Sequence, residues 1–221
     1  MSNAAVRHLA SSQKDLKDEL SDFKRQRIKE EACQLFYVSG YEATTIDAIA
    51  QRLNVTKPFI YSYYRNKSEL LFDICKTGIG LSLEAIDRAE QAELTPGERL
   101  KFLVERVMRI IIDYQEYIVV YVREEKNIEP DLAREVREQR KLFDHRLAAI
   151  LEEGHRTGEF NVLDPLLSAT TIGGIMTWVS FWYSPTGKRL EAEIITHVLG
   201  MVDAVVHVHS NQTDCSKEIK S

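Results

Sequence analysis

The stretch TTIDAIAQRLNVTKPFIYSYYRNKSEL, residues 44–70, decides the fold. Ile46, Ile49, Ala50 and Leu53 recur at i, i+3, i+4 and i+7, the spacing of one helix face. Thr44-x-x-Asp47 has the form of a capping box with Asp in place of Glu, so a helix is expected to start there. Asn54 then tolerates the left-handed conformation that a sharp stop needs. Thr56 stands where a second helix would be N-capped, and Pro58 falls in its first turn, where a missing N–H costs little. Asn66-Lys67-Ser68-Glu69 caps the helix that follows, the fourth of the chain. Two short helices across a tight turn, with another following at once, read as a helix-turn-helix, which lays its second helix in a DNA major groove.

Working outward, the pattern stays helical. A first helix is expected from about Asp22 to Ser39, with Ile28, Ala32, Leu35 and Phe36 facing in and Gly40 as its stop. The third helix covers Lys57–Tyr63, and the fourth runs to about Glu90. Thr95-Pro96-Gly97-Glu98 combines cap, first-turn proline and a returning Glu, so it starts a fifth. A short helix over Tyr117–Val122 and a loop over 123–129 precede a long one opening at Pro130 and ending at Gly154 or Gly158. Asp164-Pro165 opens the eighth, and the ninth covers about Leu190–Val208. The expected class is all-α with about nine helices: a three-helix helix-turn-helix head, then a larger helical domain. No strand pattern competes.

The chain has 221 residues and a net charge of −5. Residues 23–76 carry nine Lys/Arg and six Asp/Glu, so a basic head sits on an acidic remainder. That balance suits a protein that touches phosphates at one end. Three scattered cysteines exclude a disulfide framework and fit a reducing cytoplasm; Cys33 and Cys75 fall near apolar faces and read as buried thiols. The polar N-terminus is not a signal peptide. Residues 165–187 lack charge but hold too many Ser, Thr and Gly for a lone membrane span, so no membrane is expected. Six histidines show no HExxH spacing. There is no phosphate loop, nucleophile elbow or zinc spacing, so neither catalysis, a metal nor a cofactor is expected.

Residues 24–75 resemble the DNA-binding domain of the TetR family of one-component transcriptional regulators. Tyr61, Tyr63, Tyr64, Lys67, Glu69 and Leu70 match its aromatic, lysine and acidic-Leu steps. Phe36, Gly40, Tyr41, Thr44, Thr45, Ile46, Ile49, Ala50 and Val55 match upstream. Asn54, Thr56 and Pro58 stand where the family often has Gly, Ser and a small residue. The resemblance implies a cytoplasmic repressor that binds a palindromic double-stranded DNA operator as a homodimer and answers to a small hydrophobic effector. The residues divide accordingly: 1–20 an N-terminal extension, helical or disordered; 21–68 the DNA-binding domain; 69–209 the effector and dimerisation domain; 210–221 a disordered tail.

Helix N-termini and hydroxyls suit phosphate oxygens, so Thr45, Thr56, Tyr61, Tyr63 and Lys67 are expected phosphate contacts, by that resemblance. Lys57, Pro58 and Phe59 open the recognition helix and are the expected base readers. Ile60 and Tyr64 belong to the head's core. Helices 8 and 9 are the expected dimer surface, with Gly173 for close approach and Trp178, Phe181, Trp182 and Leu199 as apolar contacts. The effector pocket is expected among Phe102, Val107, Ile111, Tyr114, Tyr117, Tyr121, Phe143 and Trp178, since buried phenols need partners. The run Trp-Val-Ser-Phe-Trp-Tyr-x-Pro-x-Gly, residues 178–187, is similar to TetR-type repressors of lipid and sterol catabolism, which implies an acyl-CoA effector. Arg99, Arg106, Arg140 and Arg146 would then be the candidates for CoA phosphates. A regulator of multidrug efflux that answers to lipophilic xenobiotics is the alternative.

Overall fold

The computed structural model describes residues 3–207, with side chains from residue 16 onward; the expected tail over 210–221 lies outside the described residues. Among the described residues there are nine α-helices and one 3-10 turn. They are α1 Asn3–Ser39, α2 Ile46–Arg52, α3 Lys57–Tyr61, α4 Lys67–Gln91, α5 Pro96–Asp113 and α6 Gln115–Glu124. The 3-10 turn covers Glu125–Asn127, and α7 Pro130–Thr157, α8 Pro165–Trp182 and α9 Glu191–Val206 follow. The all-α expectation holds. A single parallel bridge between Asn161 and His207 is the one β-type pairing among the described residues.

Local chemistry explains most helix ends. Gly40 stops α1 at φ 81, Asn54 takes φ 55 between α2 and α3, and Gly158 ends α7 at φ 85. Thr95 and Glu98 form a reciprocal box at α5: the Thr95 N–H donates to Glu98 at 3.0 Å and the Glu98 N–H to Thr95 Oγ1 at 3.3 Å. Asp164 caps α8, its Oδ1 accepting from the Leu167 N–H at 2.9 Å.

α1 begins at Asn3, so residues 3–20 extend the first helix, the helical of the two alternatives. Three expectations are corrected. The cap of α2 is Thr45, whose hydroxyl accepts from the Ala48 N–H at 3.1 Å. Thr44 instead turns inward and donates to the Gly40 carbonyl at 2.8 Å, so no Thr44–Asp47 box forms. α3 closes at Tyr61, two residues early. Residues 123–127 are not loop: α6 runs to Glu124 and the 3-10 turn continues it.

The chain folds into two compact units: Met1–Gly80 with Tyr114–Glu138, and Leu81–Asp113 with Gln139–Ser221. The first holds the helix-turn-helix. α1, α2 and α3 close around Phe36, Ile49, Ile60 and Tyr64, with α6 packed on α1. Ile49, Ile60, Leu70 and Leu71 are fully buried, each worth about 1.5–3 kcal/mol of transfer free energy. Residues 114–138 are stitched to this head by polar contacts. The Glu129 N–H donates to Ser68 Oγ at 2.9 Å, and the Tyr41 N–H to Glu124 at 3.3 Å. In the second unit α5 packs against α8 and α9, with Leu103, Met108, Leu147, Leu151 and Ile172 fully buried.

Candidate nucleic-acid interface

The recognition segment has a buried back and an open front. Ile60 and Tyr64 are sealed in the core, as expected, while Thr56, Lys57, Pro58 and Tyr61 face solvent. Phe59 is half-buried and meets the half-buried Tyr63 ring at 5.3 Å, so the two rings brace α3. The Thr56 backbone is extended, as at an N-cap, yet its side chain makes no capping hydrogen bond. Its neighbour in role, Thr45, is exposed and spends its hydroxyl on the α2 cap. Lys57 pairs with Asp47 at 2.8 Å; both are exposed, and the hydrogen bond raises the lysine's pKa above its ordinary value. Arg52 pairs with Glu31 at 2.6 Å.

Lys67 departs most from its expected role as a point charge for phosphate. Its Nζ donates to the carbonyls of Tyr41 and Thr44 at 2.8 and 3.0 Å and lies 4.1 Å over the Tyr41 ring. It therefore caps the turn between α1 and α2 from the first residue of α4. Composition carried no signal for this, because the residue type alone does not say where an ammonium is anchored.

The residues named for an effector pocket divide between the units. Tyr114, Tyr117 and Tyr121 are half-buried in the first, with the Tyr114 and Tyr117 rings edge to face at 5.6 Å. The Tyr117 hydroxyl is buried with no hydrogen-bond partner, and burial pushes its pKa well up. Val107, Ile111 and Phe143 are buried in the second unit, and Phe102 is half-buried there. Trp178, named for both pocket and dimer, is 64% exposed on the outside of α8, which removes it from an enclosed pocket of this chain. Arg99 and Arg146 are already engaged, the first with Glu153 at 2.8 Å and the second with Asp87 and Glu90 at 2.7 and 2.6 Å.

On α8 and α9 the second unit carries an open apolar groove of about 990 Å³. Trp178 and Trp182 line it with Ala192, Met201 and Ala204, and the Phe181 ring stacks on Trp178 at 5.4 Å. Leu199 is half-buried. Gly173 is buried within the unit, and Gly174, with nothing within 4 Å of a built Cβ, is the glycine on the outer face. Among the described residues no helix is long and apolar enough to cross a membrane, and no cluster of His, Cys, Asp or Glu could hold a metal ion.

A short recognition helix, open in front and locked behind on a three-helix head, is the build of a helix-turn-helix transcriptional regulator. Residues 28–74 match the bacterial regulatory proteins of the tetR family, and residues 93–206 match the tetracyclin repressor-like C-terminal domain; the chain belongs to the TetR family. It is 27% identical over 200 residues to the HTH-type transcriptional repressor KstR of Mycolicibacterium smegmatis, covering 88% of this chain and 94% of that protein. It is 25% identical over 162 residues to the fatty acid metabolism regulator protein of Bacillus subtilis, covering 71% and 84%. AibR, solved with isovaleryl coenzyme A and operator DNA, shares the fold at a TM-score of 0.73 and 23% identity, covering 81% of this chain and 97% of AibR.

Proposed function

We propose that the protein is a repressor that binds a palindromic operator as a homodimer and is released by an acyl-CoA thioester. The observation that carries the DNA-binding part is the front of α3, where Thr56, Lys57 and Pro58 face solvent ahead of the sealed Ile60 and Tyr64. In this reading Thr45, Thr56, Tyr61 and Tyr63 offer hydroxyls to phosphate oxygens. Lys57 leaves Asp47 for guanine O6 and N7, and Pro58 and Phe59 meet a thymine methyl. Lys67 shapes the turn that holds Thr45. One head reads a half-site only, so a two-fold pair joined along α8 and α9 would read two.

The effector part rests on the company the chain keeps. One relative is named for fatty acid metabolism, and one neighbour in fold was solved with an acyl-CoA. Arg99 and Arg146 are held in ion pairs; among the described residues Arg106 and Arg140 are not, although Asp144 lies near Arg140, so these two are the cations assigned to CoA phosphates. Residues 69–209 would hold both effector and dimer functions. α4 and α7 each contribute to both units, so they are the elements through which a bound ligand biases the head. The ligand must bind the released state better than the DNA-bound one, or nothing shifts.

The test is fluorescence anisotropy on DNA from upstream of the protein's own gene, titrated with acyl-CoA thioesters of graded chain length. Tight binding reversed by one thioester is the expected result. Binding reversed only by lipophilic xenobiotics would move the effector to the multidrug class. Binding that the thioesters strengthen would overturn repression by release.

A further inference from the structure

Asp73 lies on α4 in the head and is only 8% exposed. Its Oδ2 accepts from the Tyr64 hydroxyl at 2.7 Å and from Arg25 Nε at 3.0 Å, and Lys29 Nζ stands 4.0 Å from Oδ1. Arg25 also donates from Nη1 to the Tyr63 carbonyl at 3.2 Å, and its guanidinium lies 4.3 Å over the Tyr64 ring. One planar group on α1 thus grips the carboxylate of α4 and the backbone that leaves α3. The Asp73 side chain is largely buried but that of Arg25 is 40% exposed, so desolvation of the one and solvent screening of the other leave the pair little net stability. What a guanidinium fork supplies is direction: its donors are fixed in one plane and accept partners only at set angles.

We propose that Arg25 and Asp73 are positioning residues for sequence-specific DNA recognition, setting the angle at which α3 is presented from α4. This rests on the DNA-binding reading above. Phosphate contacts tolerate a tilt of the recognition helix, since charge and hydroxyls act over a range of geometries. Base-edge contacts do not, because each needs directed hydrogen bonds at about 3 Å. A clamp that only held the fold together would affect stability and leave specificity alone. A clamp that sets the angle of α3 affects the specific operator first. The sensitive substitution is Arg25→Lys, which keeps the positive charge beside Asp73 but replaces a rigid fork with a point charge on a flexible stem.

The full chain is first used to select operators from a pool of random-sequence duplexes. Anisotropy then compares the selected duplex with a scrambled one at several salt concentrations, for the parent chain, Asp73→Asn and Arg25→Lys, with helical circular dichroism melts alongside. Both variants should lose about tenfold on the selected duplex, as for one lost base contact, and keep the scrambled-duplex affinity and its salt slope. An unchanged selected-to-scrambled ratio in Arg25→Lys overturns the inference, whatever happens to melting. If Asp73→Asn does not fold, Arg25→Lys decides alone. A parent chain that selects no sequence would remove the DNA-binding reading itself, and this inference with it.

Discussion

Asp73 in the first unit and Asp144 in the second are both drawn at least partly out of water, and the two are treated differently. Asp73 in the head is met by a phenol and two cations from elsewhere in the unit. Asp144 in the second unit is half-buried on α7, where a Cβ built on Gly173 of α8 would lie 3.7 Å from its Oδ1. No hydrogen bond reaches it among the described residues, and Arg140 and His145 are its cationic neighbours. Both units expose single large hydrophobic side chains, but the two faces proposed to meet partners differ. The head's recognition front mixes Thr, Lys, Pro and Tyr, whereas α8 and α9 leave stacked Trp178 and Phe181 and the nearby Trp182 in water. Around Asp73 the head is internally satisfied, as a reader of DNA that must hold its shape should be. The second unit keeps a contiguous apolar face in water along α8 and α9, the face to which the proposed second copy is assigned.

The harshest way to break this comparison is Trp178→Glu with Trp182→Glu. If the outer face of α8 joins two copies, each lost interface tryptophan costs about 2–4 kcal/mol. The chain should become monomeric by light scattering and lose operator binding by about a hundredfold or more, while its helical melting persists. A dimer that survives both substitutions would place the interface elsewhere. A smaller effect is expected inside the same unit from Gly154→Ala. In an open helix that change gains up to about 1 kcal/mol. Here a Cβ at Gly154 would lie far inside contact distance of Phe160 Cδ2, so the expected outcome is a loss of about 1–3 kcal/mol in a denaturant titration. Phe160→Leu in the same chain should return part of it. Stabilisation by Gly154→Ala alone would mean that the ring is free to move aside.

How much of this was legible in the sequence depends on whether the cause was local. The stops at Gly40 and Asn54, the Thr95–Glu98 box and the Asp164 cap rest on a few consecutive residues and read correctly, while of the two stops offered for α7, Gly154 and Gly158, the fold uses the second. Thr44 and Thr45 are both competent caps. What separates them is the packing that brings the Thr44 hydroxyl to the Gly40 carbonyl, which no spacing reveals. Lys67 and Asp73 sit at exposed-looking places in a charged sequence, and only the fold shows that one is anchored over Tyr41 and the other under Tyr64. Trp178 was assigned to a pocket and to a dimer face because α8 is apolar on nearly every side, and periodicity then does not tell inside from outside. The start of α1 stays open between helix and disorder in the sequence for the opposite reason: residues 3–21 are too polar to show a buried face.

The mildest prediction sharpens the contrast between the two carboxylates. Burial holds the Asp144 pKa above its ordinary value, and Arg140 and His145 oppose the shift without cancelling it. An acid that binds its proton more tightly in the folded chain than in the unfolded one helps folding only while protonated. That help is complete below the unfolded pKa of about 4 and is lost as pH rises through the raised folded value. At neutral pH the ionised carboxylate is therefore a small burden, and Asp144→Asn should melt slightly higher than the parent chain. The gain should shrink as pH is lowered toward the ordinary carboxylate range, where the parent carries the proton as well. A gain that persists unchanged in acid would come from packing and not from charge. A loss at neutral pH would mean that the carboxylate finds a partner in solution, and the surface of α8, where a second copy is proposed to sit, is where that partner would be sought.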